Sequence, residues 1–129
     1  MVAGERVDGA GRGPEGFPAS HRLRRRPEIR HVYDMGRKVP GRLAVVFSRP
    51  SAGPSTRLGV TVTRKAGSAV IRNLLRRRVR EIFRRSAAVG AATPFDVVVN
   101  VSPQGAEAPF AELRDELERL LARALGRPA

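Results

Sequence analysis

The chain has 129 residues, 25 of them Lys or Arg and 12 Asp or Glu, which gives a formal net charge of +13 with both histidines neutral. That length suits one domain; 41% hydrophobic residues supply a modest core, and a charged fraction of 29% is ordinary for a folded protein. The lack of cysteine excludes disulfide scaffolds, thiolate nucleophiles and Cys-based zinc motifs, the longest apolar run (residues 43–47) is too short for a bilayer, and the positive excess calls for a polyanionic partner, nucleic acid or an anionic membrane surface.

Residues 1–20 are broken by Gly4, Gly9, Gly11, Gly13, Pro14, Gly16 and Pro18 and predict a disordered N-terminal tail. Residues 1–13 lack an apolar signal core and carry Glu5 and Asp8, so neither a secretory signal nor a transit peptide is expected, and a soluble cytoplasmic protein is. The folded domain is expected over residues 21–126, with 127–129 as a C-terminal tail. Charge falls in blocks: residues 21–42 hold eight basic and two acidic side chains, residues 64–85 nine and one, and residues 94–129 four and six.

Pro27, Glu28, Ile29, Val32 and Tyr33 predict a short first helix, with Pro in the first turn, Glu28 at the positive end and an apolar face, ended by Gly36. A short extra strand fits around residues 37–39. Residues 43–49 form a strand, PSAGPS at 50–55 a turn, and RLGVTVT at 57–63 an alternating strand with Leu58, Val60 and Val62 on one face, together a β-hairpin. From Ser68 the apolar positions Ile71, Leu74, Leu75, Val79, Ile82 and Phe83 mark a helix running to about Ala88 before Gly90. DVVVNV at 96–101 is a strand without alternation, as burial on both faces requires. The last helix starts near Pro109, packs Phe110, Leu113, Leu117, Leu120 and Leu121, and stops at Gly126 with Pro128 beyond. The order α-β-β-α-β-α describes an α+β fold, a small mixed sheet of about four strands with helices packed on it and one parallel pairing across the strand-helix-strand crossover.

The informative segment is TRKAGSAVIRNLLRRRVREIFRR at residues 63–85. On a helix Arg72, Arg76, Arg80 and Arg84 recur every fourth residue, with Asn73 and Arg77 beside them, while Ile71, Leu75, Val79 and Ile82 turn to the core. Like charges at that spacing oppose helix formation by a few tenths of a kcal/mol per pair, roughly, and only Glu81 offsets them. Forked guanidiniums at that spacing suit a line of backbone phosphates, and Asn73 can brace a base or a 2′-OH. A solvated basic face is the bland alternative. A membrane helix is disfavoured, because the apolar face lacks Trp and supplies residues that the sheet needs.

RLGVTVTRKAGSAVIRNLLRRRVREIFRR, with RLRRRPEIRHVYDMG upstream and FDVVVNVSP downstream, closely resembles the bacterial ribonuclease P protein component over about residues 20–125. Arg72-Asn73 carries the resemblance, followed by Arg76, Arg77 and Arg80 and preceded by Arg64-Lys65 and Gly67. Two positions depart from the family pattern: Leu74 replaces an arginine, and Val101-Ser102 replaces a basic residue ahead of Pro103. The resemblance implies a left-handed crossover and a division of labour, in which an RNA subunit, holding most of the Mg²⁺, hydrolyses precursor tRNA to release its 5′ leader. It implies that Arg64, Lys65, Arg72, Asn73, Arg76, Arg77, Arg80 and Arg84 contact that RNA. It also implies that Ile29, Tyr33, Val45 and Phe47 line a cleft for the leader, with Ile29 packing where the family generally stacks an aromatic. For Tyr33 and Phe47 core packing stays open as the other reading.

The remaining chemistry is sparse. His21 and His31 have no carboxylates at ligand spacing apart from Asp34, and are read as surface or structural residues. Glu107, Glu112, Asp115, Glu116 and Glu118 lie on or near the last helix and are read as a solvated face. No P-loop or dinucleotide fingerprint is present, so no small-molecule substrate is expected and the chain alone is expected to be inactive. The alternatives are a structural RNA-binding protein such as a ribosomal protein, indifferent to a 5′ leader, and a protein-only nuclease.

Overall fold

The computed structural model describes residues 22–23, 25–86 and 93–125. The predicted tails at 1–20 and 127–129, together with His21, Ala88, Gly90, Gly126 and Pro128, lie outside them. Helix α1, Arg26–Met35, has Pro27 and Glu28 in its first turn and closes at Gly36, whose N–H donates to Val32 O at 2.8 Å. Strand β1, Arg37–Pro40, turns through residues 41–43 into β2, Ala44–Pro50; β3 is Arg57–Val62. A single 3-10 turn, Arg64–Ala66, leads to α2, Ala69–Arg85; then come β4, Phe95–Val101, the short α3, Pro103–Glu107, and α4, Phe110–Ala124. Sequence reading had no signal for α3.

The sheet order is β1-β2-β4-β3. Strands β1 and β2 form the antiparallel hairpin, β2 and β4 are antiparallel, and β4 and β3 are parallel, as the crossover implied. The hairpin predicted between residues 43–49 and 57–63 does not exist. The Val-rich β4 lies between those strands, and the loop at 51–56 bridges two interstrand spacings, roughly 9.6 Å, instead of making a tight turn. Val97, Val98 and Val99 have no measurable exposure, so both faces of β4 are covered.

Strand parity then sorts the side chains. Val39, Val46, Leu58, Val97, Val99 and Val101 meet Leu75, Val79, Ile82 and Phe83 of α2 and Leu113, Leu117, Leu120 and Leu121 of α4 in the main core. On the opposite face α1 places Val32 against Val98 and Leu23, with Ile29, Tyr33 and Phe47 partly buried around them. Gly59 makes this close approach possible: a Cβ there would stand 3.1 Å from Leu23 Cβ and 3.3 Å from Ile29 Cγ1.

Four expectations about single residues change. Ile71 is 41% exposed and Phe110 37% exposed, each in the first turn of its helix, ahead of the residues that enter the core. Ile71 lies over Gly67, and Arg78 lies 5.6 Å from the Phe110 ring centroid. Glu116 is buried: its Oε2 accepts from the N–H of Leu43 at 2.7 Å and of Ala44 at 3.0 Å where the β1–β2 connection would otherwise leave them unbonded. Helix α2 ends at Arg85, ahead of Ala88, since Ser86 closes it with its N–H and Oγ on Phe83 O.

Candidate nucleic-acid interface

The basic surface is built by a sharp entry into α2. Gly67 takes a φ of 149°, a value that favours glycine, and Ser68 caps the helix by accepting from Ile71 N at 3.3 Å. Arg64 and Lys65 are exposed on the preceding 3-10 turn, and Asn73 and Arg77 are exposed on α2. Arg72, Arg76, Arg80 and Arg84 are half-buried, so the stripe leans from the crest of the helix toward its neighbours.

That lean has a destination. Arg76 and Arg80, with Arg22, line a pocket of about 180 Å³ floored by Leu23, Ile29, Leu58 and Val60 at the outer edge of β3. Leu23 N–H donates to Leu58 O at 2.8 Å, and Arg22 pairs with Leu58 as a parallel bridge, which brings the N-terminal segment to the same edge. Arg76 donates to Asn73 Oδ1 at 2.9 Å. Burial, and then the charge of Arg72, push the Arg76 pKa down, and a bound anion would favour its cation. Arg84 is paired with a carboxylate. It donates to Glu81 at 2.7 Å, and Arg85 does so at 2.6 Å. These hydrogen bonds, that of Arg84 first, hold the Glu81 carboxyl below its usual range.

The second surface is the cleft between α1 and the sheet. Ile29 and Tyr33 on α1 and Val45 and Phe47 on β2 are all half-buried. Tyr33 and Phe47 meet edge to face with centroids 4.4 Å apart, and Lys38, paired with Phe47 across β1 and β2, lies 6.0 Å from that ring. Tyr33 reaches over β4 to Thr61, its Oη 2.7 Å from Thr61 Oγ1, and Asn100 Nδ2 donates to the same oxygen at 2.7 Å. Ile29 sits apart, beside Gly59 and the pocket of Arg76 and Arg80. Arg57 fixes the entrance of α1, donating to both Asp96 oxygens at 3.0 Å and to Glu28 at 3.2 Å. The Asp96 hydrogen bonds are the first cause of its raised pKa.

Lys38, Thr61 and Asn100 are cleft residues that sequence reading missed. Their signal is parity: in RKVP, RLGVTVT and DVVVNV they take the positions opposite to the main-core valines. His31 is exposed and accepts from Arg49. Among the described residues no three carboxylate or imidazole side chains converge as a metal site, and Glu28, Asp96, Glu81 and Glu116 are engaged by arginine or backbone N–H. These residues do not fit a Mg²⁺ centre. No helix among the described residues is long and apolar enough to cross a membrane.

Known proteins share this arrangement. The family model described as Ribonuclease P matches residues 17–125. A ribonuclease P protein component from Acidothermus cellulolyticus is 42% identical over 109 residues, 83% of this chain and 90% of that protein. The solved RNase P protein of Thermotoga maritima is 37% identical with a TM-score of 0.70, covering 79% of this chain and 96% of that one. That of Staphylococcus aureus superposes with a TM-score of 0.72 at 26% identity, over 81% and 94% of the two chains. With a basic helix and an aromatic cleft on one α+β frame and such relatives over most of its length, the chain belongs to the bacterial ribonuclease P protein family.

Proposed function

We propose that this protein component binds the ribonuclease P RNA through α2 and the turn before it, and holds the 5′ leader of precursor tRNA in the cleft between α1 and the sheet, so promoting Mg²⁺-dependent 5′ maturation. The observation that carries this reading is the placement of two unlike surfaces on the two faces of one sheet: a polycationic stripe on α2 and a half-buried aromatic pair between α1 and β2. Phosphate contacts on the stripe supply affinity that falls with salt. Tyr33 and Phe47 offer faces on which bases of any sequence can stack, as a variable leader demands. Arg64, Lys65, Arg72, Asn73, Arg76, Arg77 and Arg80 are assigned to the RNA subunit, with Arg84 reaching it only in exchange for Glu81.

In this scheme the chain contributes no acid, base or metal ligand to the hydrolysis. The RNA subunit supplies the catalytic Mg²⁺, and the protein lowers the Mg²⁺ requirement by compensating phosphate repulsion and by retaining the substrate through its leader. Purified RNA-free protein, a bacterial ribonuclease P RNA and end-labelled precursor tRNA at low Mg²⁺, each omitted in turn, test it. Cleavage at the mature 5′ end only when protein and RNA are both present is expected. RNA binding without stimulation would support a structural RNA-binding protein instead, and cleavage by protein alone would assign the chemistry to the chain.

A further inference from the structure

The floor of the α1 cleft carries a polar relay for which base stacking has no use. Val45, Asn100 and Thr61 are register partners across β2, β4 and β3 and lie side by side on the α1 face. Asn100 interrupts a strand whose residues 97–99 and 101 are all valine, and Asn is disfavoured in strands, so sheet formation does not account for it. Its Nδ2 lies 2.7 Å from Thr61 Oγ1 and 3.5 Å from the Thr61 carbonyl oxygen. A carbonyl oxygen only accepts, so the amide nitrogen is the end that faces Thr61, and Oδ1 is turned away from it.

Asn100 is half-buried, and among the described residues no donor reaches Oδ1. Thr61 Oγ1 and Tyr33 Oη, 2.7 Å apart, share one hydrogen bond but own a proton each, which leaves one O–H for an outside acceptor. A hydrogen-bond acceptor and a donor therefore stand together beside the rings of Tyr33 and Phe47.

We propose that Asn100 Oδ1 and the Tyr33–Thr61 hydroxyl pair form a two-point subsite for a single nucleotide group that donates and accepts at once. In single-stranded RNA that chemistry comes from the ribose 2′-OH or from a base edge. The subsite rests on the leader-cleft reading and adds to it the part of the cleft that senses the chemistry of the nucleotide. Asn100 supplies the accepting contact and the hydroxyl pair the donating one; Thr61 also positions the subsite, because it orients the amide and the phenol.

The test measures dissociation constants of the reconstituted holoenzyme for precursor tRNA and mature tRNA, with the wild-type chain, Asn100→Val, Thr61→Val and Phe47→Ala. Asn100→Val is expected to weaken precursor binding about three- to tenfold, the worth of one neutral hydrogen bond, and to leave mature tRNA unchanged. Thr61→Val keeps Asn100 but releases its amide, so a smaller loss in the same direction is expected. It also gives an independent comparison should the Asn100 variant melt too low to measure.

Two substrate arms separate the sources. An all-2′-deoxy leader that costs the wild type the same factor, and costs Asn100→Val and Thr61→Val nothing further, identifies the sugar. Base replacements with the ribose kept that behave so identify the base edge. Losses that add fully in both arms overturn the subsite. Wild-type precursor affinity in Asn100→Val and Thr61→Val, with Phe47→Ala weakened, overturns the subsite and leaves the leader cleft standing. No effect in any of the three variants overturns the leader reading and the subsite with it.

Discussion

Glu116 takes a carboxylate inside the fold to hold a turn, and Glu81 spends its own on two neighbouring arginines. Removing Glu116 leaves the Leu43 and Ala44 N–H groups without their acceptor. Glu116→Ala should therefore cost about 2–4 kcal/mol, read as a lower urea midpoint with an unchanged slope, and Glu116→Gln should recover part of it through the amide oxygen. Glu81 is different because its partners lie on the proposed RNA surface. Its pKa is depressed in the fold, so the small stability it adds is present above the ordinary carboxylate range and is lost as pH falls through the depressed value. At neutral pH Glu81→Gln releases Arg84 and Arg85 from a carboxylate, and RNA affinity and its salt dependence should both rise in a titration from low to high KCl. By the same logic Arg76→Ala and Arg80→Ala should each reduce the slope of log K against log salt by about 0.7–0.9. An unchanged slope would remove that residue from the interface.

At the scale of elements, α1 is the wall of the cleft, and Arg57 joins its Glu28 to Asp96 of the sheet. Arg57→Met leaves the buried Asp96 carboxylate unpaired and should cost about 2–4 kcal/mol, much of which the second change Asp96→Asn should restore. Thermal melts of the two single variants and the double variant measure the difference. The elements themselves were legible because burial along one chain is a one-dimensional signal: Leu75, Val79 and Ile82, or Leu58 and Val62, repeat at the period of their structure. The order of strands was not legible. PSAGPS suits a loop that bridges a strand as well as one that closes a hairpin, and the choice is made by residues 95–101, which come much later in the chain. Glu116 was misread for a related reason, since its partners lie across the fold at residues 43 and 44. The arginine stripe could be drawn from spacing alone. The cleft was traced through family resemblance, and its polar floor became visible only when β3 and β4 were placed side by side.

For the whole molecule, a formal charge of +13 on 129 residues means that compaction works against self-repulsion. Arg22, Arg76 and Arg80 come together at the pocket edge. A multivalent anion that binds the folded form should stabilise it by mass action. Millimolar pyrophosphate is expected to raise the melting temperature by several degrees over chloride at matched ionic strength, about 4 °C or more for each kcal/mol. Equal melting in the two salts would mean that the arginines are already compensated within the chain.

The position of β4 also governs how the protein is made. A nascent chain that has released β2 and β3 holds two strands with matching faces and no partner between them, since the strand that joins them is the last of the four to be synthesised. Loop closure across α2 must then precede the sheet contacts that reward it, a slow step for long-range pairing. A fragment ending at residue 90 should show unprotected β2 and β3 amides in hydrogen exchange and gain protection when a fragment of residues 91–129 is added. Until that strand arrives, the growing chain presents an arginine-rich helix on an open frame, and its sheet is completed only after the basic helix has been made.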